Sequence, residues 1–219
     1  MSKLAPSINF PTNRVIIFGI NDLAELATYY LRNDSRYQVI GYTTTKEYRP
    51  KENMFQLLPI WSWEDLENYF EPDEYLLFAP LADNKLREKI YNEGLKKGYK
   101  FISYISSKAT TFNTQVGENC FILEDNTIQP FTKVGNNVVM WSGNHLGHHS
   151  IVEDNCFISS HVVISGHCNI KKGAWLGVNS TIRDGVTIGE NSIVGMGSVV
   201  TKSIPNNETW IGSPAKKKE

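Results

Sequence analysis

The chain has 219 residues, 41% of them hydrophobic and 21% charged, with a net charge of −1, which is enough for two domains with real cores and unlike a disordered composition. Neutralising nucleic-acid phosphates takes clustered Lys and Arg, and only the tail, Lys216 to Lys218, is locally basic, so no nucleic acid partner is expected. The opening MSKLAPSINFP lacks the apolar run of a signal peptide and the stretch Val15 to Ile20 is far too short to span a membrane, so a cytoplasmic protein without membrane contact is expected.

RVIIFG (Arg14 to Gly19), a short apolar run ending in glycine, predicts a buried parallel strand. Asp22 is expected to cap a helix that carries Leu23, Leu26, Ala27, Tyr30 and Leu31 at helical spacing. A second strand follows at Tyr37 to Thr43. Ser62, with Asp65 three residues on, has the form of a capping box and opens a short helix through Phe70. Tyr75 to Pro80 is the next strand, a helix from about Asn84 to Lys97 ends at Gly98, and Lys100 to Ile105 closes the first domain, taken as residues 1–107. The alternation predicts a small doubly wound α/β sheet.

Such sheets bind ligands beyond the carboxyl ends of their strands, here the loops after Phe18, Gly41 and Ala79. Gly19 to Ala24 occupies the place of a G-x-G-x-x-G fingerprint but has Asn21 and Ala24 where the second and third glycines belong, a weak dinucleotide signal. Gly19 and the helix N-terminus either approach one phosphate group or make an ordinary strand-to-helix turn. Trp61 and Trp63 either stack on a base or fill the core.

From Val116 to Val200 an aliphatic residue returns every sixth position without a break, through Ile122, Ile128, Val134, Met140, Leu146, Val152, Ile158, Ile164, Ile170, Leu176, Ile182, Ile188 and Val194. Chance would produce such a run on the order of once in 10^5. The residues four places after each aliphatic are mostly small, among them Cys120, Ser150, Cys156, Cys168, Ala174, Ser180 and Ser198. Both phases point inward, because alternate strand positions share a face. This is the hexapeptide repeat of a parallel β-helix, three hexapeptides to a triangular coil, expected over residues 108–219. Glycines directly after the aliphatics (Gly117, Gly135, Gly147, Gly177, Gly189, Gly195) are expected where a tight corner needs unusual backbone angles.

Cys120, Cys156 and Cys168 all fall in the small inward phase and read as core. Cys120 and Cys156 lie two coils apart on one face, roughly 9.6 Å between Cα atoms, too far for a disulfide, and Cys168 belongs to another face.

The motifs VIIFGINDLAELA (Val15 to Ala27) and ADNKLREKI (Ala82 to Ile90), followed by HLGHHS, GVNSTI, GMGSVV and IGSPAK, resemble the PglD and NeuD-like sugar acyltransferases across nearly the whole chain. The resemblance implies a Rossmann-like N-terminal domain that holds a nucleotide-linked sugar, a left-handed β-helix that holds acetyl-CoA, and a histidine general base. It implies a homotrimer with intersubunit sites and no metal. The expected activity is transfer of an acetyl group to an amino sugar of a surface glycan, by direct attack of the amine on the thioester.

An amino sugar is mostly ammonium at neutral pH and only its free amine attacks, so the chemistry needs a base, for which imidazole is suited. His145, His148, His149, His161 and His167 all lie in the repeat domain and none takes an inward phase. His148, four residues before the inward Val152, matches the family's base in register, with His145 in reserve. The family usually has Asp or Glu next, where this chain has His149; the orienting partner is then Asn144, Glu124 or Asp125, or His148 and His149 share the work. Gly166 matches the glycine whose amide meets the oxyanion, or it only makes a turn. Gly177, Val178, Asn179, Ser180, Gly195, Gly197 and Ser198 match the pantetheine groove, mainly through main-chain groups, with Lys202, Lys216 and Lys217 available to the CoA phosphates. At the nucleotide end the candidates are Gly19, Asn21, Asp22, Thr43, Thr44, Asp83 and Asn84. Uridine-binding relatives often carry acidic residues where this chain has Thr43 to Thr45, which leaves dTDP, GDP or no nucleotide open.

Two other classes fit the repeat: a sugar O-acetyltransferase with the same base, and a metal-dependent hydratase of the γ-carbonic-anhydrase kind with three histidine ligands. Against the second stand the N-terminal α/β domain and the adjacent His148 and His149, whose side chains are expected to project in different directions.

Overall fold

The computed structural model describes residues 12–219; Met1 to Pro11, read above for a signal peptide, lie outside the described residues. Contacts divide the chain into two compact units between Tyr104 and Ile105, slightly before the 107/108 division expected.

In the first unit, β1 (Arg14–Phe18), α1 (Asp22–Asn33), β2 (Gln38–Thr44), β3 (Met54–Phe55), β4 (Leu58–Ser62), β5 (Leu76–Phe78), α2 (Asn84–Lys96) and β6 (Lys100–Phe101) form a sheet of order β3-β4-β2-β1-β5-β6. All its pairings are parallel except the β3-β4 hairpin. Val15, Ile16 and Ile17 are fully buried, as a continuous apolar run between two neighbouring strands requires. The chain leaves β1 towards β2 on one side and returns to place β5 on the other, so the strand order reverses at β1. The crevice beyond the carboxyl ends of β1 and β5 is therefore the switch point of the sheet.

Two local expectations are corrected. Asn21, not Asp22, caps α1: its Oδ1 accepts from the Ala24 N–H at 3.1 Å, and Asp22 becomes the first helical residue, where its charge complements the helix dipole. The capping box at Ser62 does not form, because Ser62 is still paired with Thr44 as the last residue of β4. Its Oγ accepts from Arg49 at 3.2 Å, Asp65 pairs with Lys46 at 2.8 Å, and the following segment, Trp63–Asn68, is a 3₁₀ turn. Trp63 is 2% exposed and meets Phe18 edge to face at 5.3 Å, and Trp61 meets Phe70 at 4.6 Å, so both fill core or its rim.

The second unit is a left-handed parallel β-helix with three walls of two-residue strands. Through most of the unit each strand pairs in parallel with the one eighteen residues on, as in Thr127↔His145↔Val163↔Thr181↔Val199, and the register shortens to sixteen at the end, at Ile193↔Thr209. From Ile122 to Val200 every aliphatic of the repeat and every small residue four places after one is buried. The repeat sums many such burials, each contributing about 1.5–3 kcal/mol for a large aliphatic. The three cysteines are buried thiols in no disulfide among the described residues, with Cys120 and Cys156 on one wall and Cys168 on another.

The glycines after the aliphatics serve a purpose other than the one expected. None has a positive φ; instead a Cβ there would strike the next coil, 2.5 Å from Ser165 C at Gly147 and 2.6 Å from Met196 N at Gly177. The left-handed residue comes three places after each aliphatic, without exception from Asn119 to Gly197, and is Asn, Asp, His, Phe or Gly. Asn and His tolerate this region better than most side chains. Along one corner the buried amides of Asn119, Asn137 and Asn155 donate one to the next.

Candidate active site

In the α/β unit, Gly19 has φ +115°, open only to glycine, and donates its N–H to Thr43 O at 2.9 Å. A Cβ on Gly19 would lie 3.6 Å from Leu81 Cδ2, so the loops after β1 and β5 run side by side at the switch point with room for little more than a methyl group between them there. Asp83 caps α2, its Oδ1 accepting from the Leu86 N–H at 2.8 Å. Thr43 and Thr44 are buried, and among the described residues the Thr43 hydroxyl has no hydrogen-bond partner.

Arg87, which sequence reasoning did not single out, holds this loop in place. It is fully buried and donates to Leu81 O at 2.6 Å, Ala82 O at 3.2 Å and Asn84 Oδ1 at 2.8 Å. Its position in the buried phase of α2, with Ile90 and Gly94, was the available signal: a long cation on an apolar face must bring its own acceptors.

In the β-helix, His148, His149, His161 and His167 are exposed and His145 is half-buried on an outer wall. His149 has φ +60° and His167 φ +55°, so both stand at the left-handed position of one edge, a coil apart. Phe131 occupies the same position a coil earlier, and the three rings form a column: Phe131 to His149 4.8 Å between centroids, His149 to His167 5.0 Å at 16°. These spacings match the 4.7–4.9 Å separation of paired strands.

His148 sets its ring at 86° to His149 and 85° to His167, with its Nδ1 3.1 Å from His149 Nδ1. The adjacent side chains therefore converge, contrary to expectation, because a left-handed residue breaks strand alternation. The His148 main chain is fixed by its N–H to Gln129 Oε1 at 2.9 Å and its carbonyl, which accepts from His167 N–H at 2.9 Å. Of the other proposed orienting groups, Asn144 is buried and accepts from the Val162 N–H, and Glu124 accepts from the Ser142 hydroxyl at 2.8 Å. Asp125 stands at the left-handed position of another edge.

Gly166 lies one coil beyond His148 and Asp184 two. A Cβ on Gly166 would lie 2.8 Å from His148 Cε1, 3.0 Å from His148 Nε2 and 3.0 Å from Asp184 Oδ2, so the imidazole rests directly over this glycine. The Gly166 N–H has no acceptor among the described residues, for the ladder leaves it out of its pairing. Two nitrogens 3.1 Å apart require one to be N–H and the other a lone pair. If His149 supplies the lone pair, His148 carries its proton on Nδ1 and offers Nε2 as a base.

The residues matched to a pantetheine groove lie along a different edge of the same chain. Val178 is exposed, Asn179 and Gly197 are left-handed, and Ser180 and Ser198 face the interior, so their side chains are withheld from any outer ligand. Lys202 and Lys216 are exposed, and Lys217 pairs with Glu208 at 2.7 Å. A shallow cavity of 390 Å³ on the third wall, by Lys133, Ile151 and Lys172, includes none of the histidines.

Fold and repeat define the class: a small α/β unit followed in sequence by a hexapeptide β-helix, the architecture that the motif resemblance implied. Residues 167–202 match the family described as bacterial transferase hexapeptide (six repeats). No curated protein matches the chain. The chain is similar in fold to PerB of Caulobacter crescentus, solved in complex with CoA and GDP-perosamine (24% identity, 94% of this chain and 97% of that one, TM-score 0.85). It is similar also to the acetyltransferase domain of PglB from Neisseria gonorrhoeae in complex with acetyl coenzyme A (18% identity, 94% and 100%, TM-score 0.85), and to WeeI from Acinetobacter baumannii (21% identity, 93% and 99%, TM-score 0.63). Among the described residues no helix is long and apolar enough to cross a membrane.

Proposed function

We propose that the chain is an acetyl-CoA-dependent N-acetyltransferase acting on a nucleotide-linked amino sugar, in the cytoplasm, for a surface glycan such as lipopolysaccharide O-antigen, capsule or a glycoprotein glycan. The observation that carries the reading is the exposed imidazole of His148 lying over Gly166, whose N–H is unclaimed. The solved proteins of the same fold, crystallised with CoA or acetyl-CoA and in one case GDP-perosamine, support the donor and the acceptor class.

The proton route follows from these atoms. The sugar amine attacks the thioester carbon, its N–H proton passes to His148 Nε2, and His148 Nδ1–H leans on the His149 Nδ1 lone pair. The Gly166 N–H meets the tetrahedral oxyanion. The C–S bond then breaks, and the CoA thiolate takes the proton from Nε2. The switch-point crevice, from Gly19 to Asp22 and from Ala82 to Asn84, takes the nucleotide. Because Gly177 to Ser180 and Gly195 to Ser198 run along another edge than His148, the donor groove opposite the base comes from a neighbouring copy, in a homotrimer.

The test is release of CoA thiol from acetyl-CoA with a panel of GDP-, UDP- and dTDP-linked amino sugars. At least one should turn over, and His148→Ala should lose about 10^2-fold or more in kcat. Turnover of a hydroxyl sugar and of no amino sugar replaces N- by O-acetylation; wild-type turnover in His148→Ala refutes the base.

A further inference from the structure

The corner that carries His148 holds more imidazole than a single general base needs. His148, His149 and His167 bring ligand-capable nitrogens within 4.8 Å of one another, all on exposed side chains. His148 Nδ1 and His149 Nδ1 are 3.1 Å apart. A tetrahedral zinc site with bonds of about 2.1 Å separates its nitrogens by about 3.4 Å, so this pair already stands near the bite of a metal. The third ring, His167, lies 5.0 Å from His149 between centroids on an exposed side chain, and a turn about its own side-chain bonds closes a three-nitrogen face.

The donor set decides which ion fits. Three neutral imidazoles suit zinc, nickel or copper and give no purchase to magnesium or calcium, which want oxygen. All three ligands come from one chain, two from one corner and the third a single coil on, so the site needs no second copy. Exposure leaves the fourth position to water.

We propose that His148, His149 and His167 bind a borderline divalent cation of the zinc class, and that the bound ion switches off the base. Binding stands on the geometry alone; the inhibition rests on the acetyl-transfer reading. An imidazole that gives its Nδ1 lone pair to a metal carries its proton on Nε2, so coordination moves the His148 proton from Nδ1 to Nε2. His148 then has no lone pair facing Gly166 with which to accept the amine proton, and His149 no longer has one to support it. Besides the three coordination bonds, one N–H bond breaks at His148 Nδ1 and one forms at Nε2, the proton passing through solvent, and chelation reverses both.

The experiment titrates zinc chloride alone, in a non-chelating buffer, into full-length protein previously dialysed against EDTA. Calorimetry should give one ion per chain, cobalt should give the visible absorption of a tetrahedral site, and magnesium should give no heat. His149→Ala and His167→Ala, checked for folding by circular dichroism, should bind at least tenfold more weakly, while His161→Ala binds as wild type. Absence of zinc binding in folded protein, or binding that both substitutions leave unchanged, overturns the site. In the second arm, zinc should suppress acetyl transfer by wild type, EDTA should restore it, and His167→Ala should resist. Stoichiometric zinc that leaves turnover untouched overturns the switch and the role of His148 as base, while the cation site stands.

Discussion

Gly166→Ala places a methyl group where His148 now lies. The new Cβ would sit 2.8 Å from His148 Cε1 and 3.0 Å from Nε2, against an ordinary contact of 3.4 Å or more, so the ring must retreat by roughly 0.6 Å. It can do so, because His148 is an exposed side chain and Gly166 lies outside the left-handed region, where alanine carries no backbone strain. The fold should therefore keep its stability to within about 1 kcal/mol. Turnover should fall by about tenfold to 10^2-fold, since displacement of a reacting group by about 1 Å costs on the order of 10^2-fold. Gly147→Ala is the contrast: its Cβ would meet main-chain atoms, Ser165 C at 2.5 Å and Gly166 N at 2.6 Å, which cannot swing aside. That variant should lose about 1–3 kcal/mol or more. Thermal unfolding and thiol-release kinetics on both variants separate the two effects. Gly166→Ala with wild-type turnover, or with the same stability loss as Gly147→Ala, would refute the placement of the imidazole over this glycine.

Arg87→Met should destabilise the α/β unit by about 2–5 kcal/mol in denaturant titration, because Leu81 O, Ala82 O and Asn84 Oδ1 lose a buried charged donor. Asn137→Ala interrupts the amide ladder and leaves groups of Asn119 and Asn155 to find new partners, a loss of about 1–3 kcal/mol by the same measurement. Burial pushes the Tyr42 and Tyr99 phenols and the Cys168 thiol above their ordinary values. Above about pH 9 the unfolded chain releases protons that the folded chain keeps, so stability should fall as pH rises, and Tyr99→Phe should flatten the fall in a series of melts.

The β-helix was legible because its two inward phases repeat with a period that neither a helix nor a plain strand produces. The special backbone at its corners was nearly as plain, as Asn, Asp, His or Gly three places after every aliphatic from Val116 to Val194 except Ile128, where Phe131 stands, but the glycines directly after the aliphatics drew attention first. Those glycines answer to closeness between coils, a distance no single strand reveals. The helix cap fell one residue from the expected place because Asn21 and Asp22 are both good caps and only the end of β1 decides between them. At the histidine corner, the pairing of residues 148 and 166 was accessible through the motif resemblance. Asp184, His167 and Gln129 emerge only when the chain is counted in coils, and the convergence of His148 with His149 depends on a left-handed residue that cancels the usual alternation. Arg87 escaped notice because a cation in a helix normally reads as solvent-facing.

The eighteen-residue register also makes the prism behave like a rotary dial. Excising one hexapeptide upstream of His148 would turn everything after it by a third of a revolution, while each remaining aliphatic still found the axis. The seal of the interior and the compass bearing of the histidine edge are thus separable properties, one set by the phase within six residues and the other by the count of sixes before it. An architecture so geared can redirect its chemistry towards a new neighbour by losing or gaining a single repeat, without reopening its core.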